Sequence, residues 1–271
     1  MHNRKQRAEI AQQTLQILDS GSYSINGRTV GIRDELELAI RNTRYYQPND
    51  YSRLSFEANQ SKDTIIEVTN ETTFGAASRL VNDENETNVI CLNFASAKNP
   101  GGGFLGGSQA QEESLARSSG LYPCIEQIHD YYDYHRARKS CLYSDRMIYS
   151  PNVPVFRDDN NELLNRIYTV SIMTAPAVNC TRVKQSDAVE AMRIRIEKLL
   201  TACAANGHDT LILGAWGCGV FRNDPNDIAE LFREQLENMK FYRVFKRVVF
   251  AVLDRSGAQT TLKAFENALI K

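Results

Sequence analysis

The chain is poor in the residues that build metal and disulfide sites. Its four histidines (His2, His129, His135, His208) are scattered along 271 residues, and no HExxH or HxE pattern occurs. The six cysteines (Cys91, Cys124, Cys141, Cys180, Cys203, Cys218) form no CxxC pair and mostly sit in apolar segments. A zinc site needs clustered Cys and His, so no metal is expected, and the thiols read as reduced core residues of a cytoplasmic protein. Long apolar runs are also missing. The longest, VVFAVL (248–253), is far short of a membrane span, and the amino terminus MHNRKQRAEIAQQTLQIL has no apolar signal-peptide core. Nor is there an excess of one charge. Lys and Arg number 32 against 33 Asp and Glu, a net charge of −1, unlike a protein that grips long nucleic acid electrostatically. Internal repeats, low-complexity tracts and Pro/Gly/Ser-rich linkers are absent as well.

What is present is an ordinary globular composition, 42% hydrophobic, with alternating periods. Residues 4–19 carry Ala8, Ala11, Leu15 and Leu18 at helical spacing, and Gly21 follows as a stop. YSINGRTV (23–30) predicts a hairpin, because Asn-Gly suits a type I′ turn. Residues 34–46 read as helix. Strands are expected at 64–70, 88–95, 166–175, 210–215 and 246–254. Helices are expected at 74–83, 111–119, 186–207 (Ser186 as N-cap, Gly207 at its end), 226–239 and 258–270. The tyrosine-rich stretch 128–142 and the polar turn 156–163 read as an excursion between strands. Alternating strands and helices, with strands apolar on both sides, predict a mostly parallel α/β sheet covered on both faces. The domain reading is an N-terminal helical extension (1–60) and one continuous globular unit (61–271).

Two glycine-rich loops each follow an apolar strand directly. NPGGGFLGGSQAQEE (99–113) follows NVICLNFA, and WGCGVFRNDP (216–225) follows TLILGA. In an open α/β sheet, ligands bind beyond the carboxyl ends of strands. Glycine lets backbone N–H groups converge there on an anion. Neither loop has the GxxxxGK[ST] pattern of a P-loop, and the first lacks the GxGxxG register. Glu112 and Glu113 open a helix beside this presumed anion site. A carboxyl group that is partly buried near an anion gains proton affinity. It could give a proton to a leaving oxygen and later take one from water, the logic of glycoside cleavage. Adjacent helical residues point about 100° apart, so one carboxylate should do acid/base work while the other binds, most simply sugar hydroxyls.

GGG, seven residues, then QEE resembles the signature of poly(ADP-ribose) glycohydrolases. WGCGVF resembles that family's diphosphate loop. NFASAKNPGGGF, QAQEESLARSSGLYP, MIYSPNVPVFRD and LGAWGCGVFRNDP resemble its bacterial branch, over about residues 60–255. The resemblance implies a macrodomain-like three-layer α/β/α sandwich with mixed strand order. It implies cleavage of ribose–ribose O-glycosidic bonds of poly(ADP-ribose), with ADP-ribose as product and no cofactor. By position, Glu113 matches the catalytic glutamate, Glu112 the residue that holds ribose hydroxyls, and Gln111 a supporting amide. Gly101, Gly102 and Gly103 match the catalytic loop, and Asn99 is a candidate ribose contact. Gly217, Cys218, Gly219 and Val220 match the diphosphate loop, and Phe221 the aromatic against the terminal ribose. Cys218 is not expected to be a nucleophile, having no His partner. Residues 174–179 and the tyrosine-rich stretch are candidate adenine contacts. The alternatives are a hydrolase acting on mono-ADP-ribosylated protein or nucleic acid, and a non-catalytic ADP-ribose reader. Expected partners are poly(ADP-ribose) or ADP-ribosylated macromolecules. Neither a membrane nor nucleic acid outside ADP-ribosylated forms is expected.

Overall fold

The computed structural model describes residues 2–57, 63–238 and 240–270. The chain runs through α1 (Arg4–Ser20), β1 (Ser22–Ile25), β2 (Arg28–Gly31), α2 (Arg33–Asn42), β3 (Arg44–Tyr46), β4 (Ile65–Thr69), α3 (Thr73–Ser78) and β5 (Val89–Phe94). It continues through α4 (Gln111–Ser118), α5 (Leu121–Glu126), α6 (His129–Ala137), β6 (Met147–Arg157) and β7 (Leu163–Ala175). It ends with α7 (Gln185–Ala205), β8 (Thr210–Leu213), α8 (Pro225–Glu237), β9 (Arg247–Ala251) and α9 (Thr260–Leu269). β1 and β2 form a separate hairpin whose turn residues Asn26 and Gly27 both have positive φ, as a type I′ turn requires.

The main sheet has the order β3-β6-β7-β5-β8-β9-β4. Five neighbouring strands, β7, β5, β8, β9 and β4, are parallel, and β6 pairs antiparallel with both β3 and β7. Both faces are covered. Leu211 and Leu213 of β8 pack with α7, α8 and α9, while Ile212 packs with α3, α5 and α6 on the other side. This is the three-layer sandwich. The five parallel strands bring their carboxyl ends to one rim, where residues 95–110 leave β5 and residues 214–224 leave β8. Because β5 and β8 are direct neighbours, the two glycine loops rise side by side.

Several local expectations change. Residues 44–46 are strand, not helix: β3 pairs with Met147–Tyr149 and forms one edge of the sheet. The segment read as a helical extension therefore carries an edge strand of the main sheet besides its expected hairpin. The expected boundary between residues 60 and 61 lies outside the described residues. The stretch 147–157 is a long strand despite Pro151 and Pro154. Prolines cannot donate to a ladder and so argue against a central strand, but β6 shifts register between Ser150 and Val153, and Asn152 has φ 47°. This irregularity accommodates Pro151, while Pro154 stays in register with Thr169 of β7 and lies past Tyr149, where the pairing of β6 with β3 ends. The tyrosine-rich stretch contains α6, with Tyr131 and Tyr132 buried in the core. Residues 156–163 are the end of β6 and its turn into β7. α7 begins at Gln185 after Lys184, so Ser186 lies inside the helix and is not its cap. α8 ends at Glu237, ahead of the expected residue 239.

Leu211 and Ile212 are adjacent, point to opposite faces and are both fully buried. Leu211→Ala and Ile212→Ala should each cost about 2–5 kcal/mol, the usual range for cavity-forming core truncations. Urea unfolding measures both. A large loss for one and none for the other would mean that one face of the sheet is open.

Candidate active site

The site is built on the first turn of α4. Its anchor is Gln111. The side-chain carbonyl accepts from the Phe94 N–H at 2.8 Å, and the amide donates to Leu92 O at 2.7 Å and to Thr73 Oγ1 at 3.0 Å. One side chain thus ties α4 to the end of β5 and to α3. α4 has no side-chain cap, and its N-cap position is Ala110. Two acidic residues in that first turn complement the positive end of the helix.

Glu112 points inward and is 4% exposed. Its Oε2 accepts from the Ser96 N–H at 2.6 Å, and Oε1 lies 3.5 Å from Asn93 Nδ2. Burial pushes its proton affinity up to a pKa of about 8. The neighbouring Glu113 charge adds to the rise, and hydrogen bonds from Ser96, Asn93 and Gly101 oppose it. Asn93 is itself buried. Its amide also donates to Thr174 Oγ1, while its oxygen has no partner among the described residues. Rotating that amide would present the oxygen to the protonated Glu112 carboxyl.

Glu113 is partly exposed, and its Oε1 accepts from the Gly103 N–H at 3.0 Å. Both carboxylates converge on Gly102. A Cβ there would stand 2.5 Å from Glu113 Oε1 and 3.2 Å from Glu112 Oε2, and φ is +60°. Only glycine fits. The raised proton affinity expected near the anion site therefore falls on Glu112, the buried member of the pair. The two side chains take different partners, Glu112 the Ser96 N–H and Asn93, Glu113 the Gly103 N–H, with Gly102 of the glycine loop between them.

The second loop is shaped by Asn223. Its amide donates to Val178 O (2.8 Å) and Gly217 O (3.1 Å), and its oxygen accepts from Cys180 Sγ (3.1 Å). Gly219 has open space around its Cα, and Val220 is 82% exposed. Phe221 lies 5.9 Å from Tyr143, ring to ring, and its carbonyl accepts from the Cys180 N–H. Burial pushes the Cys218 thiol far above its ordinary value, which disfavours the nucleophilic thiolate.

A cavity of about 700 Å³ runs along this rim. Gln111 and Gly217, Cys218, Gly219, Val220 and Phe221 line it, so the structure brings these expected residues together. Gly101, Gly102, Gly103, Glu112 and Glu113 are not among its lining residues; the two acids connect to it through Gln111 and Ser114, which flank them in α4 and line it. Asn99 is exposed. Its backbone carbonyl accepts from Gly102 N, and its own N–H donates to Ser96 Oγ. Of the expected adenine candidates, only Ala177 lines the cavity. Thr72, Asp159, Asp254 and Arg255 also line it, and the sequence reading did not single them out. Asn93 and Ser96 were also missed, although both lie within or just after the strand that precedes the glycine loop. Among the described residues, no group of three His, Cys, Asp or Glu could hold a metal, and no helix is long and apolar enough to cross a membrane.

A macrodomain-like sandwich with paired acids at a glycine loop and a second loop on the adjacent strand defines a glycosidase class. Comparison with known proteins identifies it further. The family model for the microbial-type PARG (poly(ADP-ribose) glycohydrolase) catalytic domain matches residues 11–158, and the chain belongs to this family. The crystal structure of the glycohydrolase from Thermomonospora curvata is similar at TM-score 0.93 and 43% identity, covering 98% of this chain and 100% of that one. The same protein bound to the inhibitor ADP-HPD matches at TM-score 0.90 and 44% identity, over 97% and 99% of the two chains. The Deinococcus radiodurans glycohydrolase in complex with ADP-ribose matches at TM-score 0.81 and 43% identity, over 92% and 99%. No curated protein matches the chain.

The Glu112 environment has a consequence for stability. Its pKa is raised on folding from 4.5 to about 8. Its contribution is therefore fully present below about pH 4.5 and is lost as pH rises through about 8. Glu112→Gln removes this dependence. The variant should melt higher than wild type at pH 8, and the gap should narrow or reverse by pH 5. A gap that does not change between these pH values would contradict the burial of the charge.

Proposed function

We propose that the protein hydrolyses the ribose–ribose O-glycosidic bonds of poly(ADP-ribose), with Glu113 as general acid/base and the Gly217–Phe221 loop holding the diphosphate of the terminal ADP-ribose. The observation that carries this reading is the convergence of the two carboxylates on Gly102, next to a cavity bordered by the second glycine loop. Glu113 is held by one hydrogen bond and is open enough to reach a leaving oxygen. It protonates that oxygen as the bond at the anomeric carbon breaks through an oxocarbenium-like state, then takes a proton from the attacking water. Glu112 is locked against Ser96 and Asn93 and holds ribose hydroxyls in place. The N–H groups of Gly219, Val220 and Phe221 make no hydrogen bond within the described chain and are available to phosphate oxygens. Phe221, with Tyr143 behind it, packs on the ribose. The acceptance of ADP-ribose by the Deinococcus relative supports the same ligand here.

One observation favours a second assignment. Glu112 has the pKa suited to a group protonated at neutral pH, which would make it the acid. Glutamine substitutions separate the two. Glu113→Gln preserves size but cannot deliver a proton, so single-turnover cleavage should fall about 10²–10⁴-fold while ADP-ribose binding persists. Glu112→Gln should weaken productive binding and rate together. Near-wild-type cleavage by folded Glu113→Gln would transfer the role to Glu112. Incubation with polymer and, separately, with mono-ADP-ribosylated protein tests the substrate. Release of ADP-ribose from the second alone would overturn the polymer reading.

Gly219 tests the diphosphate loop. A side chain fits there without collision, so Gly219→Glu should fold normally. Its charge beside the diphosphate should weaken ADP-ribose binding about tenfold or more. Calorimetric titration that shows wild-type affinity would remove this loop from the site.

A further inference from the structure

The segment joining the glycine triplet to α4 is held by guanidinium groups, two of them from the first turn of α1. Arg4 Nε donates to Gly106 O and Arg7 Nε to Gly107 O, each at 2.9 Å. Arg117 of α4 continues the series, donating to Ser108 O at 2.8 Å and to the Gln109 side chain. Every residue from 106 to 109 is therefore fastened by an arginine. Arg7 is itself braced by Nη1 on His2 O at 2.6 Å. α1 docks through Ala11 against Phe104 and Ala116, and through Thr14 Oγ1 donating to Arg117 O at 2.6 Å. Gly107 lies so close to α1 that a Cβ would overlap the Arg4 backbone.

These bonds lead to the reacting carboxylate. The N–H groups of Gly106 and Ser108 both donate to Gly103 O at 3.1 Å. Gly103 in turn donates its N–H to Glu113 Oε1. A loop with five glycines has many accessible backbone states, so Gly103 takes its position from the buried Phe104 that follows it and from what holds residues 106–108.

We propose that Arg4 and Arg7 are positioning residues for Glu113: the first turn of α1 fixes residues 106 and 107, these fix Gly103, and Gly103 aims the carboxylate. The proposal rests on the assignment of Glu113 as acid/base. The diphosphate loop, on β8, makes no use of these bonds. The arginines should therefore affect turnover and leave ligand affinity alone.

The test uses the full chain with Arg4→Ala/Arg7→Ala and Arg4→Lys/Arg7→Lys. Misplacing a catalytic group by about an ångström can cost 10²-fold. Single-turnover cleavage of poly(ADP-ribose) by the alanine pair should accordingly fall about 10–100-fold, with the ADP-ribose Kd within about twofold of wild type. Amide hydrogen exchange at residues 101–107 should accelerate, and the lysine pair, which keeps donors near the carbonyls, should recover part of the rate. In a Glu113→Gln background the alanine pair should cost little more. Undiminished cleavage, or parallel losses of rate and affinity, would overturn the proposal. If the pair does not fold, Arg7→Ala alone is read by the same criteria. Failure of the Glu113 assignment shows separately, as retained cleavage by Glu113→Gln with wild-type arginines.

Discussion

The side-chain amide of Gln111 is the interaction on which the rest of the site depends. It satisfies the Phe94 N–H and the Leu92 carbonyl, two backbone groups at the end of a buried strand. Left unpaired, each would cost the desolvation of a buried polar group, about 1–3 kcal/mol. The same amide holds the first turn of α4 at a fixed height above the sheet. From that position Glu112 can only point inward, toward Ser96 and Asn93, and Glu113 can only meet the glycine loop. A residue that reads as a supporting amide is thus the joint between sheet, loop and acids.

The two glutamates show how one turn of helix yields two environments. They are neighbours in sequence, share the positive end of α4 and approach the same glycine. They differ in solvent. Glu112, enclosed by β5 and its loop, has its proton affinity raised by burial. Glu113 stays partly open and keeps a single backbone donor. The catalytic division proposed here follows from access, whereas the raised proton affinity of Glu112 favours the reverse: a locked acid can hold a hydroxyl, while a reachable one can follow a leaving oxygen.

Glycine-rich loops approach ligands closely but do not hold their own shape. In this protein the shape comes from outside the loops. Asn223 and Cys180 set the second loop from within the sandwich. The first is set by Phe104, buried against α1 and Tyr122, and by the arginines of α1 and α4. The N-terminal segment is consequently built into the active-site rim as well as into the sheet edge, through β3.

The sequence by itself determined the elements whose signals are local. The helical spacing and Gly21 stop of α1, the Asn26–Gly27 turn, the apolar strands β5 and β8, and the order of glycine triplet and acids each depend on residues a few positions apart. The family resemblance was equally legible, because its motifs are contiguous strings. Tertiary structure alone decided the rest. β3 and β6 are strands because neighbouring strands complete their ladders, which overrode a helical pattern at 44–46 and two prolines in β6. The adjacency of β5 and β8 brings together loops far apart in the chain. Burial, which separates Glu112 from its identical neighbour, and the contacts of Arg4, Arg7, Asn93 and Asn223 are properties of packing. Pairing and desolvation depend on what the rest of the chain places nearby, and no short stretch of sequence specifies that.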